Sequence, residues 1–236
     1  MSISAHDFLH VVRLPLEQGN ASELAAAVLE RWEPRALCGL LSSRDTDVRR
    51  AAALVIGLIG ERSLAMCLAK LLHDRDAQTR QMAEHGLWAI WFRSSSDDAA
   101  EPFQQGVDAL AEQRYTDAIA HFHEAIDLDP DFAEAHHQCA IAHMLQGDWS
   151  AGRAACRRAL QHMPCHFAAA AALGHCHTHL ENLDAALTCY RRALAIHPGM
   201  PGVTRAVEQL ALQAAEASPA PAFQAHKSKR SIFPAG

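Results

Sequence analysis

Tyr115-Thr-Asp-Ala-Ile-Ala-His-Phe-His-Glu-Ala-Ile-Asp-Leu-Asp-Pro130, Trp149-Ser-Ala-Gly-Arg-Ala-Ala-Cys-Arg-Arg-Ala-Leu-Gln-His-Met-Pro164 and Leu183-Asp-Ala-Ala-Leu-Thr-Cys-Tyr-Arg-Arg-Ala-Leu-Ala-Ile-His-Pro198 are three versions of one phrase. The closing prolines stand 34 residues apart. Each phrase has helical apolar spacing and ends where proline stops a helix. A fixed period of this length marks a solenoid, in which each unit is too small to bury its own apolar face and stacks on its neighbour. The rest of the chain is organised around this array.

Counting back from the prolines gives repeats at 99–132, 133–166 and 167–200. Their second helices carry Ala118, Phe122 and Ala125, then Gly152, Cys156 and Ala159, then Ala186, Tyr190 and Ala193. This small–large–small pattern, with Leu173-Gly174 in a first helix, resembles the tetratricopeptide repeat. Cys139-Ala140 and Gln105-Gly106 fit more loosely, and Ala109, His143 and His177 stand where the family favours Tyr. The resemblance implies a right-handed, all-α solenoid of stacked antiparallel helix pairs, closed by a cap helix over 201–216. It also implies an inner wall built from the first helices: Phe103, Val107 and Leu110; Glu134, His137, Ile141, Met144 and Leu145; and Ala171, His175, Thr178 and His179. The Lys/Asn set by which some members clamp a terminal carboxylate is missing from these positions. An apolar helix or extended peptide of a partner protein suits the wall better.

The N-terminal region, 1–92, has a shorter period. Leu40-Leu41…Asp45…Val48-Arg49 aligns with Leu71-Leu72…Asp76…Thr79-Arg80 at an offset of 31. A Leu pair, an Asp able to cap the next helix and an Arg after it resemble a HEAT-type repeat. Ahead of it, helices are expected over 4–14 and 21–31, parted by Pro15 and Gly19-Asn20, with Ser22 as an N-cap and Pro34 opening the next segment. Leu87, Trp88, Ile90, Trp91 and Phe92 are read as the joint on which this array docks against the second. The polar stretch 93–98 is then a short linker. The segment 217–236 joins basic residues to Phe223, Ile232 and Phe233 without helical periodicity. It is expected to be a mobile tail, with self-association through a groove as the alternative.

Composition limits the function. A net charge of −6 and a pI near 6.2 disfavour nucleic acid. No stretch reaches the ~18 apolar residues of a membrane span, and no export signal precedes the first helix, so a cytoplasmic protein is expected. Seven unpaired-looking Cys are expected to be reduced core residues. Of sixteen His, most lie between His121 and His197. His175 and His179 share a helical face and form the alternative metal-binding reading, but no Cys-x-x-Cys or His-Glu-x-x-His spacing supports it. No nucleophile motif or phosphate-binding Gly loop is present. Short HEAT-like units also occur in bilin lyases, an analogy of fold alone. The expectation is therefore a non-catalytic scaffold or adaptor without a cofactor, binding another protein and neither nucleic acid nor membrane.

Overall fold

The computed structural model describes residues 3–217, with side chains to 213. The tail at 218–236, with its expected self-association, lies outside the described residues. Those described are helical throughout, and none of their helices is long and apolar enough to cross a membrane.

The first helix, α1 (Ala5–Glu17), runs further than expected, because Pro15 lies inside its last turn and is buried. The break falls instead at Gly19, which takes the left-handed φ of +65°, and at Asn20. Asn20, not Ser22, caps α2 (Ala21–Leu29): its Oδ1 accepts from Glu23 N–H at 3.0 Å, and its Nδ2 returns a bond to the Glu23 carboxylate. The pair differs from a capping box in that its return bond joins side chains, the Asn20 N–H going to the Pro15 carbonyl at 3.0 Å, and Ser22 lies inside the helix. Pro34 opens a 3-10 segment, Pro34–Ser42, ahead of α3 (Thr46–Ile59). After α4 (Ala65–Ala69) and a 3-10 turn comes α5 (Ala77–Arg93).

The offset of 31 is a repeat of turn chemistry. Asp45 caps α3 and Asp76 caps α5. Arg49 donates to the carbonyls of Ser43 and Arg44, and Arg80 to those of Asp74 and Arg75. The two turns are then locked together by paired forks: Arg49 onto Asp74 at 2.7 and 2.9 Å, and Arg50 onto Asp76 at 2.9 and 2.8 Å. Where α3 crosses α5 the backbones touch, and a Cβ added at Gly57 would lie 2.6 Å from the Gly86 Cα. Cys38 and Cys67, 6.0 Å apart at Cα, are joined by a disulfide, so the expectation of seven free thiols does not hold. The 3-10 segment and α4 pack side by side, bringing two cysteines distant in sequence within bonding reach.

The array proper pairs α6 (Asp97–Ala111) with α7 (Tyr115–Leu128), α8 (Ala133–Leu145) with α9 (Trp149–His162), and α10 (Phe167–His179) with α11 (Leu183–Ile196). The cap is α12 (Pro201–Ala217). Each pair turns through one left-handed residue, Gln113, Gly147 and Glu181, again 34 apart. The next N–H reaches back to the helix in a Schellman closure, as from Arg114 to the Ala109 carbonyl at 2.8 Å.

Packing inside the pairs follows size. A Cβ on Gly106 would meet the Phe122 ring at 2.6 Å, and one on Gly174 would meet Tyr190 at 2.5 Å. The middle pair carries Ala140 against Cys156: the larger residue on the first helix is matched by a smaller one on the second. The looser fit of the middle repeat is thus a compensated exchange.

The N-terminal unit docks alongside the array and not on its end. From α5, Trp88 and Trp91 reach the start of α10, where the Trp91 ring stacks on His166 at 4.0 Å and Trp88 meets Phe167 edge-on at 5.8 Å. Glu84 reaches His197 at 3.4 Å, and His73 Nε2 lies 3.0 Å from the Ala195 carbonyl. One apolar core accordingly runs from Phe8 through Trp91 to Ala133, Met163 and Phe167.

Candidate functional site

The first helices α6, α8 and α10 lie side by side, so residues 34 apart form rows. The row ends nearest the helix N-termini are closed. Phe103 is buried, with Phe92 of α5 at 5.7 Å. Glu134 and His137, expected on an open wall, are buried beneath α5, with Trp88 6.3 Å from the His137 ring. Ala171 is buried as well. The docked N-terminal unit therefore covers the first turns of α8 and α10.

Under that cover lies a polar cluster. The Glu134 carboxylate accepts from His166 Nε2 at 2.8 Å, from His137 Nδ1 at 3.2 Å and from Gln138 Nε2 at 2.6 Å. Burial opposes its ionisation, but the two imidazoles outweigh it and hold the carboxyl at about 2. His166 is a neutral imidazole of fixed tautomer. Burial pushes it down first, and the nearby His137 adds to this, against the pull of Glu134. Its Nδ1 accepts the Ala169 N–H at 3.2 Å as the cap of α10, so Nε2 carries the proton given to Glu134. Composition offered no sign of His166. A signal was present in its place at the last position of a repeat, directly before a helix lacking Ser, Thr, Asp or Asn as its cap.

The C-terminal halves of the same helices are open. Val107 and Leu110 on α6, and Ile141 and Met144 on α8, are half-buried, while Leu145 is 54% exposed. On α10, His175 and His179 are exposed and Thr178 half-buried. The His175 and Thr178 side chains both contact Tyr190 Oη, at 2.9 and 3.3 Å. His179 stacks flat on Trp149 at 3.6 Å. No third ligand joins His175 and His179 among the described residues, and each ring is already engaged. The open wall is thus an apolar strip on α6 and α8 running into a polar, imidazole-bearing end on α10. A separate apolar depression of 410 Å³ lies between α1, α3 and α5, lined by Leu9, Val12, Leu16, Leu54 and Met82 among others.

Antiparallel pairs of constant length, joined by left-handed turns and stacked at a 34-residue period, define a helical-repeat solenoid. Family models described as TPR repeat and tetratricopeptide repeat match residues 109–147 and 144–210. The chain is a tetratricopeptide repeat protein over this region, with a further helical unit ahead of it. The first TPR of Spaghetti (RPAP3), solved with the HSP90 peptide SRMEEVD, is 20% identical, with 51% of this chain and 96% of that one covered and a TM-score of 0.50. The first TPR domain of human RPAP3 is 19% identical, covering 50% and 94% at a TM-score of 0.48. The Sgt2 TPR domain from Aspergillus fumigatus is 16% identical, covering 60% and 93% at 0.49. At such identity the likeness concerns the fold. No curated protein matches the chain.

Proposed function

We propose that this chain is a non-catalytic interaction scaffold that takes a peptide or helix of a partner protein on the open half of its inner wall. The observation that carries the reading is the apolar strip Val107, Leu110, Ile141, Met144 and Leu145, left uncovered although the N-terminal unit closes the other half of the same wall. An apolar strip about one helix wide accepts the nonpolar face of an amphipathic helix or alternate side chains of an extended strand. The Spaghetti relative, solved with a peptide, supports this use of the fold.

The bound segment differs in chemistry from that peptide. No Lys occurs between 99 and 200, and the arginines there sit on second helices or at the α6–α7 turn. Among the described residues the wall offers no Lys or Arg to a run of carboxylates, so an apolar segment is favoured over SRMEEVD.

Immobilised protein, wild type against Leu145→Asp and Ile141→Asp, tests this by comparing partner recovery from a lysate of the native source. Leu145 is exposed, so its variant keeps the fold, as circular dichroism would verify. Recovery of a discrete partner should fall at least tenfold with either substitution and stay unchanged with Leu54→Asp in the N-terminal depression. Undiminished recovery by folded Leu145→Asp, or micromolar binding of the SRMEEVD peptide, would count against the reading.

A further inference from the structure

On the side of α8 turned toward α7, three side chains of metal-binding type converge. Cys139 and His143 are four residues apart on α8, so they project from one face. His123 of α7 comes to meet them, and one donor atom from each lies within 4.8 Å of both others. The rings of His123 and His143 are 6.2 Å apart. His143 Nδ1 is buried and has no hydrogen-bond partner. Burial drives the Cys139 thiol up to about 12, so without a cation it stays protonated and inert.

The next repeat supplies an internal comparison. His177 stands 34 residues after His143 and has the same unpartnered Nδ1. There, however, Arg157 and Leu173 occupy the places of His123 and Cys139. The orphan nitrogen recurs with the repeat, whereas the three-ligand set belongs to the α7–α8 joint alone.

We propose that His123, Cys139 and His143 form a transition-metal site between the first two repeats, with Zn²⁺ the cation that the ligand set suits best. Two imidazoles and a thiolate are borderline-soft donors, and three protein ligands with a water make four-coordinate zinc. The exposed His123 leaves that fourth position to solvent. Zinc bonds of about 2.0–2.3 Å at tetrahedral angles put these donors roughly 3.3–3.6 Å apart, so separations of up to 4.8 Å must shrink by about 1.5 Å at most. Changes of χ angle in His123 and His143 would supply that. Binding forms one Zn–S and two Zn–N bonds, breaks the Cys139 S–H bond and releases its proton to buffer.

The other three-ligand cluster, Glu134, His137 and His166, is not such a site. His166 Nδ1 is spent on the Ala169 N–H, so its Nε2 must keep a proton and cannot bind a metal as a neutral imidazole.

Calorimetric titration of zinc chloride into the metal-free, untagged full chain, done anaerobically, is the test, with cobalt(II) as a spectroscopic probe. One tight equivalent per chain is expected, releasing one proton per zinc when two buffers are compared. Cobalt should give the near-ultraviolet charge-transfer band of a cobalt–thiolate bond. Affinity should fall by more than ~100-fold in His123→Ala and in Cys139→Ser, beyond the 10–100-fold typical of residues that only support a ligand. It should not change in His175→Ala/His179→Ala. Because His123 is exposed, its variant keeps the fold and isolates the ligand effect. Absence of a stoichiometric site, tight binding retained in His123→Ala, or a cobalt band that survives Cys139→Ser would overturn the proposal.

Discussion

Glu134→Ala strikes the joint between the N-terminal unit and the array at its one fully buried carboxylate among the described residues. The change removes the acceptor of three hydrogen bonds, from His166 at 2.8 Å, His137 at 3.2 Å and Gln138 at 2.6 Å. His166 cannot turn its proton elsewhere, because its Nδ1 holds the cap of α10. Three stranded donors at ~1–3 kcal/mol each would overcount, since they share one small void and can take a water between them. A hydrogen bond to a charged group contributes ~1.5–3 kcal/mol, and with the void partly rehydrated a total of ~3–5 kcal/mol is expected here. Glu134→Gln keeps the shape and one acceptor but turns its amide N–H toward a donor on the other side. Its cost should be smaller, about 2 kcal/mol.

Urea unfolding followed by both far-ultraviolet circular dichroism and tryptophan fluorescence reads the outcome. With an m-value of about 2 kcal/mol/M, Glu134→Ala should lower the midpoint by roughly 1.5–2.5 M. Two of the four tryptophans, Trp88 and Trp91, flank the cluster, so fluorescence reports the joint. In the variant it should change at lower urea than the helical signal, because the repeats still support one another once the joint opens. A midpoint shift below about 0.5 M, or equal shifts in the Ala and Gln variants with coincident transitions, would refute the assignment of the cluster as the latch.

Acid should destabilise the joint at His166 and the neighbouring repeat contact at His136, where His136 stacks on His162. Burial lowers His136 and His166 below the ordinary imidazole value, so below about pH 6.5 the unfolded chain takes up protons that the folded chain refuses. Stability should fall as pH drops through that value, by up to ~1.4 kcal/mol per pH unit for each group, and thermal melts from about pH 7.5 to 5.5 would show it. The depressed Glu134 adds a further loss that starts near its ordinary 4.5 and ends near its folded value of about 2. A melting temperature flat across the neutral-to-mildly-acid range would contradict this. The size matching inside the pairs is open to a double-mutant cycle. Gly174→Ala should cost ~1–3 kcal/mol by crowding the Tyr190 ring, offset by under 1 kcal/mol of better helix propensity. Combined with Tyr190→Ala the cost should vanish, and simple additivity of the two would mean the contact is not the cause.

Much of the fold is legible in the sequence, because nearest-neighbour packing writes itself at a fixed period. Ala118, Phe122 and Ala125, with their counterparts one and two repeats on, Gly152 of the looser middle pair included, are buried where the 34-residue register puts them. Asp45 and Asp76 cap the helices that follow them, as the offset of 31 predicts. What periodicity does not carry is contact between segments of different period. Trp88 and Trp91 read correctly as a joint, yet nothing local says that they pack on the starts of α8 and α10. Glu134, between Ala133 and Ala135 in the first turn of a helix, looks like an ordinary solvated acid favoured by the helix dipole. Its burial follows from a docking angle set by Trp88, His166 and Phe167 together. The same gap hides His123 from Cys139 and His143: only the crossing of α7 on α8 makes them neighbours.

These features converge on one helix. The first turn of α8 holds Glu134 and His137 beneath the N-terminal unit, its exposed face carries Ile141 and Leu145, and its α7 side carries Cys139 and His143. A helix packed on three sides by different partners has little freedom to tilt, since interiors at this density transmit a shift and do not absorb it. Loosening Glu134 frees one end of α8, while a metal at Cys139 and His143 ties its middle to α7. If the open wall binds as proposed, both changes should alter partner affinity without touching a wall residue, in opposite directions: zinc tightening it and Glu134→Ala weakening it. A wall whose affinity responds to neither would place the binding surface elsewhere, with the depression between α1, α3 and α5 the next to test.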